Sequence, residues 1–328
     1  MISYFQAIVI GLLQGVTELF PISSLGHSVL VPSLLGWHTL AKAESADESF
    51  YLAFLVALHV ATANALLVYF RSDWVRIIGA FFRSVRSRRV ETSDQRLAWL
   101  LVVATIPAGI TGLALEHTLR TVFAKPAAAA VFLTLNGLVL LAGERYRRRD
   151  EVRALAAQHP QTEYSEPGRW LDTLDFKEAG VVGVAQVAAL FAGISRSGIT
   201  MVAGLARGLD HEDAARFSFL LATPIILAAG VYKIPDLLGP LGDGVRGQAL
   251  VGSVFAGVAA YISVRFLVRF FETRNLSLSP ATASSPAGSA SSASPEPERL
   301  THQRWGPRSR SMSSGGPGHA SRSTSRGT

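Results

Sequence analysis

Five stretches of this chain, at 50–70, 97–115, 126–143, 216–232 and 248–270, are apolar around the whole helical circumference rather than along one face. Each comes close to the roughly 20 residues that an α-helix needs to cross a bilayer. In hydrocarbon every backbone amide must find a partner within the protein, so only helical bundles and closed barrels are open to such a chain. Runs of this length select helices. Composition agrees: 49% of the 328 residues are hydrophobic and 17% are charged, with a mean hydropathy of +0.30. The sequence therefore reads as an all-α integral membrane protein with about five or six transmembrane helices.

The charges fall between the apolar runs. Arg71, Arg76, Arg83, Arg86, Arg88, Arg89 and Arg96 outnumber Asp73, Glu91 and Asp94 in one connection, and Arg145, Arg147, Arg148, Arg149 and Arg153 dominate another. By the positive-inside rule both are cytoplasmic, whereas the connection with Glu44, Asp47, Glu48 and the single Lys42 lies outside. The net charge of +7 thus reflects membrane orientation and gives no reason to expect a nucleic-acid partner. The first basic residue is Lys42, too late for the basic n-region of a cleaved signal peptide, so the N-terminus is expected to stay on the mature protein. The absence of cysteine excludes disulfides, thiolate chemistry and cysteine-bound metal. Residues 144–176 read as a polar cytoplasmic linker. Residues 275–328, rich in Ser, Pro, Gly and Arg, read as a disordered, solvated tail.

The two halves carry related segments. "GLLQGVTELFPISSLGHSVL" (11–30) aligns without a gap on "GVAQVAALFAGISRSGITMV" (183–202), pairing Gly11 with Gly183, Gln14 with Gln186, Ile22 with Ile194, Ser23 with Ser195 and Gly26 with Gly198. Two long apolar runs follow in each half, and the run at 126–143 joins them. With one crossing between them, the repeats (about 1–116 and 178–272) have opposite orientations, the arrangement that brings broken helices and polar sites together near the midplane. Charge counting favours segments that dip in and return, because Arg265, Arg269 and Arg274 are then cytoplasmic. Two re-entrant helical hairpins meeting from opposite faces are expected.

The polar residues of these segments form a coherent set. Gln14 and Glu18, four apart, share a helical face, and a carboxylate among Phe20, Ile22 and Leu25 is costly enough in lipid to mark a functional site. Ser24 and His27, three apart, also share a face, so His27 could take the serine proton or protonate a leaving oxygen. In "GISRSGIT" (193–200), the planar fork of Arg196 suits a phosphate. Ser195, Ser197 and Thr200 add hydroxyls there, while Gly193 and Gly198 let backbone amides approach an anion. The competing reading is a ligand-free ion pair between Arg196 and Glu18. His59 and Asn64 read as hydrogen-bonded packing groups, Pro107 and Pro224 as kinks, and His211, Glu212 and Asp213 as an acidic helix start rather than a metal cluster.

The paired motifs resemble those of the undecaprenyl-diphosphatase family, the bacitracin-resistance type of membrane phosphatase. Gln14, Glu18, Pro21, Ser23, Ser24, Gly26 and His27 match its first motif, and Gly193, Ser195, Arg196, Ser197, Gly198 and Thr200 its second, with similarity in layout over about 1–272. Gln14 stands where many members have Glu, Leu25 replaces a common Thr, and Ala192 replaces the proline that opens the second motif. The resemblance implies hydrolysis of undecaprenyl diphosphate to undecaprenyl phosphate and phosphate, which recycles the cell-wall lipid carrier and confers bacitracin resistance. Residues 1–274 would be the phosphatase domain, in the bacterial plasma membrane, with its site opening to the extracytoplasmic side. Glu18, Ser24, His27 and Arg196 are the expected catalytic residues; Gln14, Ser23, Gly193, Ser195, Ser197, Gly198 and Thr200 are the expected substrate contacts. Glu18 either orients His27 or holds a divalent cation, Mg²⁺ or Ca²⁺. The nucleophile is Ser24, or a water activated by His27. A homodimer is one assembly open to such a chain. The rival function is a polyprenyl-phosphate flippase or anion transporter using the same midplane site.

Overall fold

A computed structural model describes residues 2–37, 40, 50–118, 125–157 and 170–276. The described residues are helical, without strands, in the order α1 (Tyr4–Thr17), α2 (Ser24–Leu34), α3 (Phe50–Tyr69), α4 (Arg71–Ser87), α5 (Ser93–Thr118), α6 (Pro126–Ala157), α7 (Phe176–Val187), α8 (Arg196–Ala206), α9 (His211–Leu238) and α10 (Arg246–Leu276). Five of them are long and apolar enough to span a bilayer: Phe50–Tyr69, Ser93–Leu115, Pro126–Arg145, His211–Leu238 and Arg246–Phe271. They coincide with the five apolar runs. The chain is a multi-pass membrane protein.

The repeat persists in the start signals of the short helices. Ser3 caps α1 through the Gln6 amide and Asp175 caps α7 through the Glu178 amide, both as capping boxes. Ser23 caps α2 through Gly26 N and Ser195 caps α8 through Gly198 N. Every pair is 172 apart (175 − 3, 178 − 6, 195 − 23, 198 − 26), so the two segments start and break their helices with matched chemistry. With 14, 11, 12 and 11 residues, α1, α2, α7 and α8 are each short of a full crossing. Their breaks, at 18–23 and 188–195, lie where the polar motifs are.

The repeats fold into each other rather than side by side. Helix α1 of the first repeat packs along α10 of the second, α7 of the second along α5 of the first, and α3 against both α9 and α10. These seams are close. A Cβ on Gly11 would stand 2.3 Å from the Gly252 carbonyl oxygen, one on Gly15 2.3 Å from that of Ala256, and one on Gly183 2.6 Å from that of Ala104. Lipid offers no hydrophobic reward for helix association, so close approach through small residues is the main source of cohesion here. The joining helix α6 touches α2 and α8. Helix α4 is anchored at its start by Asp73, which is buried and bonded to Arg76 of its own helix and, at 2.8 Å, to Arg216 of α9.

One expectation changes in detail. The linker expected over 144–176 begins as helix: α6 continues to Ala157, since "ERYRRRDEVRALAA" is built of strong helix formers and needs no membrane to stay helical. The remainder up to residue 169, the acidic connection with Glu44, Asp47 and Glu48, and the tail beyond residue 276 lie outside the described residues. Pro107 and Pro224 sit within unbroken helices. Asp210 caps α9 and places Glu212 and Asp213 in its first turn, as the sequence implies.

The seams give a stability test. Gly11→Ala should lower the thermal unfolding midpoint in detergent, because overpacking against backbone costs about 1–3 kcal/mol. Gly180→Ala, where an added Cβ meets nothing within 4 Å, should leave the midpoint unchanged or raise it slightly.

Candidate active site

The two breaks meet. A Cβ on Gly26 would come within 2.8 Å of Gly193 Cα, and one on Gly198 within 3.2 Å of Pro21 Cβ. Gly193 itself has φ +119° and would drive a Cβ to 2.7 Å from the Ala129 carbonyl oxygen, so glycine is required there for both reasons. Ser23 reaches φ 68°, ψ 104° without being glycine, a strained backbone directly before Ser24.

Glu18 is the C-cap of α1 and lies at the junction. Arg196, the first residue of α8, donates through Nη2 to its Oε1. On the other oxygen, Oε2, Ser24 Oγ donates at 2.5 Å and Gln14 Nε2 at 3.1 Å. His59 Nε2 lies 3.3 Å from the same Oε2 and 3.4 Å from Ser24 Oγ. The Glu18 side chain is 6% exposed and that of Arg196 15%, so an ion pair with almost no access to water joins the two repeats. Hydroxyls brace it from behind. Ser197 Oγ donates to the Glu18 carbonyl at 3.2 Å and shares a hydrogen bond of 3.0 Å with Ser195 Oγ. Thr200 Oγ1 donates to the Arg196 carbonyl at 2.7 Å and meets Ser218 Oγ at 2.7 Å.

Helix geometry sorts the two histidines. Side chains tilt toward the N-terminus of their helix, so Ser24, at the first position of α2, leans back across the break to Glu18. His27 leans back as well, and its Nδ1 lies 2.7 Å from the Ser23 carbonyl, which fixes Nδ1–H as donor and leaves Nε2 open. The polar neighbours of Ser24 Oγ are Glu18 and His59. The pairing of Ser24 with His27 expected from their spacing does not form among the described residues. His59, read as a packing group, is instead at the junction: its Nδ1–H donates 2.8 Å to the Leu55 carbonyl, so its Nε2 can donate to Glu18 only when the ring carries a second proton. Its sequence signal was its position, an ionisable group alone in an apolar span. Asn64 faces outward from α3.

Two buried polar atoms at the junction have no protein partner, Arg196 Nη1 and Gln14 Oε1. Buried groups of this kind are rare in native structures and call for a partner such as water, an ion or a ligand. One is a cationic donor carried by the first residue of a helix, a combination that suits an anion.

The family described as "BacA: Bacitracin resistance protein BacA" matches residues 7–279. The chain belongs to the BacA family. Among its curated relatives are "Undecaprenyl-diphosphatase 2" of Frankia alni, 58% identical over 319 residues (84% of this chain and 93% of the relative), and "Undecaprenyl-diphosphatase" of Mycolicibacterium paratuberculosis, 58% identical over 281 residues (84% and 92%). "Undecaprenyl-diphosphatase 2" of Burkholderia lata is 46% identical over 272 residues (83% and 90%).

In this BacA-family chain no group of three His, Cys, Asp or Glu able to hold a metal occurs among the described residues. What the junction offers a cation is mainly oxygen, the Glu18 carboxylate and the unpartnered Gln14 Oε1, with Nε2 of His59 beside them. A hard cation such as Mg²⁺ commonly binds one or two carboxylates and completes its shell with water and substrate phosphates, so this donor set fits a metal that binds together with a diphosphate.

Breaking a buried ion pair from one side strands the other charge, at a cost of about 3–5 kcal/mol. Arg196→Met should therefore lower the unfolding midpoint in detergent, and adding Glu18→Gln should restore most of the loss. Losses that simply add would show that the two groups are not coupled.

Proposed function

We propose that this protein hydrolyses undecaprenyl diphosphate to undecaprenyl phosphate and inorganic phosphate, and so regenerates the lipid carrier of cell-wall synthesis. The reading is supported by membership of the BacA family and by the names of relatives that match over nine-tenths of their own length. The observation that carries it is chemical: a serine whose hydroxyl already donates to a buried carboxylate lies beside a guanidinium with an unfilled donor.

The terminal phosphate binds Arg196 Nη1 and the first amides of α8, while Nη2 keeps Glu18 in place. Ser23, Gly193, Ser195, Ser197, Gly198 and Thr200 shape and brace this cradle, and Gln14 borders it. Ser24 Oγ attacks the terminal phosphorus as its proton passes to Glu18 Oε2, 2.5 Å away. The bond from phosphorus to the bridging oxygen breaks, and undecaprenyl phosphate leaves with the electron pair. Water, deprotonated at Nε2 of His27, then attacks the phosphoserine. Inorganic phosphate departs, Ser24 Oγ recovers its proton from Glu18, and His27 releases to solvent the proton it took from water. A Mg²⁺ or Ca²⁺ held by Glu18 and Gln14 Oε1 would neutralise part of the diphosphate charge.

The short paired helices serve as re-entrant hairpins, which lets the prenyl chain stay in lipid while its headgroup reaches the junction. The domain spans 1–274, with repeats at about 1–116 and 178–272. We assign it to the bacterial plasma membrane with its basic connections on the cytoplasmic side, and with the opening on the extracytoplasmic side that the family resemblance implies.

The test is phosphate release by purified protein from a long-chain prenyl diphosphate. Ser24→Ala should slow it by roughly 10²-fold or more. Release at the parent rate would exclude the phosphoserine and assign attack to water, with Ser24 as a ligand. Wild-type protein inactive in detergent across pH and divalent ions would overturn hydrolysis in favour of lipid or anion translocation, which needs two compartments and an intact membrane.

A further inference from the structure

Helix α6 is the most lipid-facing of the five spans, with only 11% of its apolar window buried. Val131 and Leu138 are largely exposed, yet Asn136 on the same helix is 4% exposed. Both ends of its carboxamide are engaged. Nδ2 donates to the Pro21 carbonyl at 2.9 Å, and Oδ1 accepts from the Ser195 backbone N–H at 2.9 Å. One bond goes to the break of the first repeat and one to the break of the second, over sequence separations of 115 and 59 residues.

The pattern of donors and acceptors leaves one orientation. Turning the amide over would set its oxygen against the Pro21 carbonyl and its NH₂ against the Ser195 N–H. A leucine of similar size would make neither bond, and in hydrocarbon neither backbone group could turn to water instead. Pro21 precedes Ser24 by three residues, and Ser195 directly precedes Arg196. The separation of those two backbone groups therefore fixes where Ser24 and Glu18 stand relative to Arg196. The Ser195 amide is also taken, which leaves the amides of Arg196 and Ser197 for an anion.

We propose that Asn136 is a positioning residue: its carboxamide, supplied by the helix that joins the repeats, holds the two breaks in register so that Arg196 and the Glu18–Ser24 pair act on one phosphate group. This inference rests on the proposed function for its kinetic consequence but not for its binding consequence, so the two can fail separately.

The experiment compares wild type, Asn136→Leu and Asn136→Gln, each alone and combined with Arg196→Lys. Two quantities are measured per folded molecule in detergent, well below the unfolding midpoint: the affinity for inorganic diphosphate by calorimetry, and kcat and KM for a long-chain prenyl diphosphate. Asn136→Leu should weaken diphosphate binding and lower kcat/KM, each by about 10-fold or more, since misplacement of a reacting group by about an ångström costs up to 10²-fold. In the Arg196→Lys background the same change should cost less than about 2-fold, because acting through Arg196 makes the effects non-additive. A merely structural role would give equal fold-losses in both backgrounds, and that result overturns the proposal. Asn136→Gln keeps the amide on a longer stem and should cost about 3-fold or more in binding; wild-type affinity in this variant overturns it too, even if Asn136→Leu does not fold. If wild type binds diphosphate with this pattern but turns over no lipid, the hydrolysis reading fails and the positioning role stands.

Discussion

A carboxylate within a bilayer must be paired, and in this protein the partner of Glu18 comes from the other half of the chain. That pairing organises the rest. Arg196 can reach Glu18 only if the second break meets the first, and the breaks can meet only if no side chain intervenes between Gly26 and Gly193. The close glycine contacts along α1 and α10, and along α7 and α5, bring the short helices deep enough for this to happen. Ser197, Ser195, Thr200 and Ser218 then bond backbone groups at and beside the breaks, which lipid could not satisfy.

The same pairing explains how an apolar protein can hold a phosphate. A guanidinium fully engaged by a carboxylate would be a structural tie. Here one of its nitrogens is engaged and the other is not, so the side chain that ties the repeats together keeps a donor unused. The carboxylate is divided in the same way: one oxygen faces Arg196, while the other gathers Ser24, Gln14 and His59. The division places a serine hydroxyl, a carboxylate and a guanidinium within one cluster without leaving a charge alone in hydrocarbon.

Much of this could be read from the sequence because it is periodic or repeated. Bilayer-length apolar runs mark the five spans, and a constant offset of 172 carries the helix breaks and even the capping residues from one half to the other. The reach of Arg196 toward Glu18 was legible as charge needing charge. Two of the failures come from contacts between residues distant in sequence. His59 meets Ser24 and Glu18 from 35 or more residues away, and Asn136 bonds backbone groups that no side-chain pattern reveals. The match of Ser24 with His27 rested on helical spacing, and lost to a rule of direction: at the first position of a helix, a side chain leans away from the turn that follows.

The distance along the chain between Arg196 and Glu18 has a consequence for biogenesis. The two are 178 residues apart, and at synthesis rates of about 5–20 residues per second the carboxylate waits roughly ten to forty seconds for its guanidinium. During that interval the first helices have already left the ribosome, carrying an acid that lipid rejects. An unpaired Glu18 therefore favours a nascent first half whose acid stays protonated or in a watery or chaperoned setting until the second half arrives.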